Sequence, residues 1–389
     1  MSEHTPPPPP RGFPEAEYHG RLMRAQALMA RAGLAALLLS TEAEVRYFTG
    51  YLTRFWESPT RAWYLVLPVD GDPVAVIPEI GAHLMRQSWL SDIRTFAAPA
   101  PGAPGLDLLA ETLEELTPKG SRIGVPSGPE TQLRMPLADW ATLRGRVARA
   151  FRDDANIVAV LRRVKSAPEI AKIAQACAIA GRAFDRVPEM ARAGVPLEEV
   201  FRRFQMLCLE AGADCVPYIA GAAGAAGYGD VISPATGLPL ARGDVLMLDT
   251  GAVFDGYFCD FDRNFSVGPP EAAVASAHAR LIEATQVGFA AARPGATHAD
   301  LYRAMAGVLG QRPAGRLGHG LGMQLTEGPS VVPWEDAPLV PGMVLTLEPC
   351  LDLGSGRIMV HEEDIALTET GAVWLSQASP AEIRVLEPA

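Results

Sequence analysis

Cysteine is scarce. The chain of 389 residues has five, Cys177, Cys208, Cys215, Cys259 and Cys350, odd in number and with no C-x-x-C spacing. That argues against a disulfide-stapled scaffold and for reduced thiols in a cytoplasmic protein. Long apolar runs are missing as well. LAALLLS, from Leu34, is far shorter than the roughly 20 residues needed to span a bilayer. The N-terminal MSEHTPPPPPRGF lacks the apolar segment of a secretory signal, and its prolines favour an extended, solvated arm over residues 1–13. Positive charge is in deficit: 34 Lys and Arg against 45 Asp and Glu give a net charge of −11. A nucleic-acid backbone is thereby a poor partner, whereas a small cationic ligand or a metal ion remains open. No tandem repeat of roughly 20 to 50 residues is visible.

The length exceeds what one core normally serves, so two domains are expected. From residue 14 to 158 the pattern is α/β. Leu22, Ala25, Leu28 and Met29 recur at helical spacing up to Gly33, and the strand LAALLLS follows. Next comes a hairpin turning at Asp70-Gly71-Asp72-Pro73, then a helix over 106–116 and the strand RIGVPS. From 159 to 389 the pattern becomes α+β with antiparallel strands. Ser166, Pro168 and Glu169 open a helix whose face carries Ile170, Ile173, Ala174 and Cys177, and further helices are expected over 196–212 and 272–292.

The acidic residues on strands lie in this second part. In DTGAVFDGYFCDFDRNF, residues 249–265, Asp255-Gly256 is a strong two-residue hairpin turn. Phe254 then pairs with Tyr257, and counting outward sets Asp249 opposite Asp262 with Asp260 diagonal to it. All three carboxylates share one face, roughly 5–8 Å apart. Like charges that close among Phe, Val and Tyr require protonation, a facing basic cluster or a multivalent cation; the alternative is a solvated outer face. Three later segments add donors. GHG holds His319 where backbone can approach closely, TLEP carries Glu348 in an apolar strand, and VHEED puts His361 and Glu363 on one strand face with Glu362 and Asp364 on the other. Cys259 and Cys350, beside these segments, read as small core fillers.

These segments, in this order, resemble the pita-bread metallohydrolases, which include prolidase, aminopeptidase P, methionine aminopeptidase and the metal-free creatinase. KSAPEI and the early YFTGY match the creatinase and prolidase branch, so the likeness runs along nearly the whole chain after the proline arm. The resemblance implies two divalent ions, Mn first, with Co, Zn or Fe as alternatives. Their implied ligands are Asp249, Asp260, His319, Glu348 and Glu363, with Asp260 and Glu363 bridging and Glu348 passing a proton to the leaving nitrogen. Four carboxylates and one imidazole suit such metals, and their charge balances two divalent cations. The likeness further implies a homodimer in which Arg54, Trp56 and Arg61, from the loop GYLTRFWESPTRAW, contact substrate across the subunit boundary; a packing role for that loop is the alternative.

The sequence departs from the family pattern at four places. Two expected histidines are replaced, one by Tyr228 or Gly229 and the other by Thr326; His361 stands where Arg is usual, and Asp262 where Thr is usual. His361 is accordingly expected either to take over part of the catalytic work or simply to hydrogen-bond Asp262, while Tyr228 and Asp262 are expected to meet substrate. The extra carboxylate favours a cationic or amidine-bearing substrate. The functions implied are hydrolysis of a C–N bond in an Xaa-Pro dipeptide or small amide, or of a compact cyclic or amidine compound as in ectoine hydrolase or creatinase. A non-enzymatic binding module is a third reading.

Overall fold

The computed structural model describes residues 7–58, 62–313 and 315–386. The chain forms two compact units that divide between residues 162 and 163, within the helix Ile157–Arg163.

The first unit is an α/β domain built on a six-stranded mixed sheet. In spatial order the strands are Asp92–Phe96, Val74–Pro78, Tyr64–Pro68, Ala36–Leu39, Arg122–Val125 and Ala150–Asp153. Ala36–Leu39 is buried on both faces, which explains its unbroken apolar run. The hairpin read at Asp70 to Pro73 is present, with Tyr64 opposite Val76. The edge strands Asp92–Phe96 and Ala150–Asp153 add parallel pairings; neither has the apolar alternation that marks a half-buried strand.

The second unit is α+β. Ala167–Asp185 begins where Ser166 and Pro168 suggest, and the Glu169 carboxylate accepts the Ser166 N–H at 2.8 Å. Leu197–Glu210 and Ala272–Ala291 match the expected helices closely. A further helix, His298–Leu309, is opened by a capping box of Thr297 and Asp300. One sheet orders Arg384–Leu386, Phe261–Val267, Asp244–Phe254 and Cys215–Ala225. The other orders Glu327–Ser330, His319–Gly320, Val344–Leu347, Glu363–Thr368 and Gly371–Trp374, and the hairpin of Cys350–Gly354 with Arg357–Val360 stands apart. Val245 and Met247, four and two residues before Asp249, pack with Leu281, Leu345, Leu347 and Ile365 in one core. Asp249 thus continues a strand face that is otherwise apolar. No helix among the described residues is long and apolar enough to cross a membrane.

Candidate metal centre

Asp255 and Gly256 both take positive φ, 45° and 67°, as a tight hairpin turn requires. Phe254 pairs with Tyr257, and Asp249 lies directly opposite Asp262. The Cys259 N–H still bonds Ala252 O at 3.0 Å, and the Asp260 N–H points away from that strand and donates to Asp364 Oδ2 at 2.9 Å, which ties Asp260 to the strand Glu363–Thr368 of the second sheet.

His319 meets it there. The two glycines around His319 are spatial requirements: a Cβ on Gly318 would lie 2.2 Å from Thr346 O, and one on Gly320 2.9 Å from Glu327 O. The imidazole Nδ1 bonds Gly320 O at 2.8 Å, which needs a proton on Nδ1; in the neutral ring Nε2 then carries a lone pair. That Nε2 faces Asp260 Oδ2 at 3.4 Å, Glu362 Oε1 at 3.7 Å and Glu348 Oε2 at 3.8 Å. Asp260, His319 and Glu362 bring their donor atoms within 4.8 Å of one another, all three residues buried.

A lone pair aimed at carboxylate oxygens is repulsive unless a proton or a metal cation lies between them. The surroundings supply little of that charge. Burial raises the carboxyl pKa of Asp249, Asp260 and Glu362 well above the ordinary range, and each feels neighbouring carboxylates in addition. Asp249 Oδ1, Asp262 Oδ2 and Glu362 Oε1 are buried without a hydrogen-bond partner. Among the described residues, the one cationic side chain ion-paired to Asp249, Asp260, Glu348 or Glu362, apart from the imidazole, is Arg316, whose Nε donates to Glu348 Oε1 at 2.8 Å. Four carboxylates, one imidazole lone pair and orphaned buried oxygens form a donor set suited to divalent first-row ions.

The late acidic pair corrects the sequence expectation. Glu363, expected to be a ligand and a bridge, turns away from this cluster. Its carboxylate pairs with Arg263 Nη2 at 3.0 Å and His361 Nε2 at 3.1 Å, and accepts from Ser376 Oγ at 2.5 Å and the Ser379 N–H at 2.9 Å. Burial would raise its pKa, but Arg263 and His361 hold it down at about 2. The residue facing His319 is Glu362, because Glu363 has all the partners a carboxylate can use and Glu362 has none at Oε1.

Three further expectations change with the geometry. His361 is 1% exposed, with Nδ1 3.3 Å from Asp262 Oδ1 and Nε2 on Glu363, so burial keeps both ring nitrogens from substrate. Burial works to lower its pKa, and the two carboxylates outweigh that and raise it. Tyr228 is fully buried; its hydroxyl donates to Asn264 Oδ1 at 3.1 Å and accepts the Val360 N–H at 2.7 Å, which makes it a core tie and not a substrate contact. Asp262, 1% exposed, accepts the Glu362 N–H at 3.1 Å and forms an inner wall behind the cluster instead of meeting substrate. In the first unit, Trp56 is 7% exposed and packs on Trp63 at 5.8 Å, which uses its ring internally. Arg54 is exposed and pairs with Glu57 at 3.1 Å. Arg61 lies outside the described residues.

The family model for metallopeptidase family M24 matches residues 171–369, and that for the creatinase/prolidase N-terminal domain matches 21–164. The chain belongs to metallopeptidase family M24. It is thus a pita-bread protein of the metal-dependent hydrolase class, with the creatinase-type domain preceding the M24 domain. A probable dipeptidase PepE of Mycobacterium tuberculosis is 29% identical over 371 residues, covering 93% of this chain and 95% of the relative. An Xaa-Pro dipeptidase of Pyrococcus horikoshii is 24% identical over 359 residues, covering 90% and 94%. Among solved structures, dipeptidase PepE from Mycobacterium ulcerans aligns with a TM-score of 0.83 at 26% identity, covering 96% of this chain and 99% of that one. X-Pro aminopeptidase from Thermotoga maritima gives 0.77 at 25%, covering 94% and 99%.

Two features of this M24 chain went unread in the sequence. Arg316, three residues before His319, pairs with Glu348; the signal available was a lone cation inside an otherwise apolar and glycine-rich segment. Lys165 pairs with Glu327 at 3.1 Å, both side chains under a tenth exposed, so the Glu that follows Thr326 is held by a buried lysine.

Proposed function

We propose that this chain hydrolyses a C–N bond in a dipeptide or small amide at a pair of divalent ions, manganese first among them. The ligands are Asp249, Asp260, His319, Glu348 and Glu362, with Glu362 in the place first given to Glu363. One observation carries the reading: the His319 Nε2 lone pair, with its carrier proton on Nδ1, points into oxygens of Asp260, Glu348 and Glu362 within 3.8 Å. Ions bound there would acidify a water and polarise the scissile carbonyl. The protein side of the reaction falls to Glu348. With its side chain 20% exposed it is the most accessible of the carboxylates facing His319, so it can take a proton from the attacking water and deliver it to the leaving nitrogen. The names of the relatives, dipeptidases and Xaa-Pro peptidases, support the peptide substrate class.

The test begins with elemental analysis of protein purified without chelator. Two equivalents of a first-row metal per chain are expected, and dialysis against a chelator should abolish turnover of a panel of Xaa-Pro and other dipeptides until Mn or Co is restored. Protein that carries no metal, gains none on addition and turns over none of the panel would overturn the assignment.

A further inference from the structure

The second unit has a cavity that the metal centre does not use. It measures about 360 Å³ and lies among the C-terminal end of the helix Ala167–Asp185, the strand Phe261–Val267, the helix Ala272–Ala291 and the segment 377–384. None of the residues assigned to the ions lines it. Its walls are mostly carbon, with Phe184, Phe265 and Ile383 among them, all under a tenth exposed. A volume of this order suits a ligand of one or two rings.

Two features mark the cavity as a site and not a packing gap. The first is His278, which lines it at 3% exposed and whose Nδ1 has no hydrogen-bond partner. Buried polar atoms are rarely left so. The Pro380 carbonyl beside the ring favours its proton, but burial outweighs that and holds the pKa at about 4. The imidazole is therefore neutral near pH 7, one nitrogen donating and the other accepting. The second feature is Gly181. Glycine is a poor helix former, yet this one lies within the helix Ala167–Asp185. A Cβ on it would meet nothing within 4 Å, so a side chain there has room to enter the cavity that Gly181 lines.

The guanidiniums at the cavity are already committed to carboxylates. Arg263 gives Nη1 and Nη2 to Asp262 O, Glu362 O, Glu363 and Gln377 O, and its Nε makes no hydrogen bond among the described residues. Arg384 pairs with Asp185 at 3.6 Å on the exposed side. An entering anion would have to compete with Glu363 and Asp185 for these arginines, and an entering cation would be repelled by them. A neutral polar group avoids both costs. We propose that this cavity binds a small uncharged aromatic molecule bearing one hydroxyl or amide group, its ring against Phe184 and Phe265 and its polar group on His278. A hydroxyl both donates and accepts, so it satisfies either tautomer of the imidazole, and Arg263 Nε is a further donor.

The experiment titrates the full chain, with Mn present, with p-cresol, p-xylene, 4-methylbenzoate and 4-methylbenzylamine, followed by ligand-observed NMR. p-Cresol is expected to bind with a Kd of about 0.1–1 mM, in keeping with its few heavy atoms. The two charged analogues should bind at least about tenfold more weakly, and p-xylene several-fold more weakly for want of the hydroxyl. Gly181→Leu should fill the space and weaken p-cresol at least about tenfold, with a thermal midpoint at or above the native one, since leucine is the better helix former. His278→Leu should bring the p-cresol to p-xylene ratio to about one. Should Gly181→Leu fail to fold, Ala378→Trp fills the same cavity from the segment 377–384 and is expected to act alike. No binding of p-cresol up to about 5 mM would overturn the proposal. So would binding that the cavity-filling variant leaves unchanged, which places the ligand elsewhere, or equal affinity of the native protein for p-cresol and either charged analogue.

Discussion

Glu362 and Glu363 are adjacent and chemically identical, yet their surroundings give them opposite work. Glu363 is ionised and fully partnered, so Glu363→Gln breaks a buried pairing with Arg263 and His361. A cost of about 3 kcal/mol is expected, both with and without metal, measured as a shift in the denaturant midpoint. Glu362 sits unpartnered against Asp260 and His319, where burial raises its pKa. Glu362→Gln should therefore stabilise the metal-free protein, read as a higher denaturant midpoint at pH 8. It should also weaken metal binding by more than the roughly 10- to 100-fold typical of an outer-shell partner. The reverse pattern, with metal lost in Glu363→Gln and kept in Glu362→Gln, would return the ligand role to Glu363.

Strand and loop elements hold these residues in place, and Tyr228 shows how. Its hydroxyl joins the hairpin of Cys350–Gly354 and Arg357–Val360 to the strand Phe261–Val267, through the Val360 N–H and Asn264. Tyr228→Phe leaves a buried N–H unpaired and should cost about 1–3 kcal/mol of stability. If Tyr228 instead met substrate, KM would change while stability held. The hairpin itself was readable in advance, because Asp255-Gly256 fixes a register and the register alone places Asp249 opposite Asp262. The GHG and TLEP segments were readable for a similar reason, since their glycines and proline are local backbone demands. The choice between Glu362 and Glu363 was not. It depends on Arg263, Ser376 and Ser379, which approach Glu363 from elsewhere in the chain. Strand alternation separates the faces of a strand without saying which of them looks into the site. Tyr228 was misread for the same reason: a position matched by motif says nothing of which way a ring packs.

Taken over the whole molecule, the buried acids make stability depend on pH in an unusual direction. Asp249, Asp260 and Glu362 have folded-state pKa values raised well above their ordinary ones, and burial pushes Asp364 up to about 8. A group raised on folding binds its proton more tightly in the native state. Its stabilising contribution is complete below the unfolded carboxylate range and is lost as pH rises through the folded value. His361, raised by Asp262 and Glu363, acts in the same sense from its own ordinary value. Glu363, held at about 2, opposes this only at much lower pH, since its contribution is complete above its unfolded pKa and fades toward 2. His278, which burial holds down at about 4, and His298, lowered the same way, pull in the other direction as pH falls through the ordinary histidine value. The raised groups outnumber them, so between pH 8 and pH 5.5 the metal-free protein should become more stable as acid is added, seen as a rising urea midpoint. Divalent ions compete with those same protons, so adding Mn should raise the midpoint most at pH 8 and flatten or reverse the slope. A metal-free protein whose midpoint falls from pH 8 to pH 5.5 would mean that these carboxylates are compensated by some group other than a proton or a metal ion.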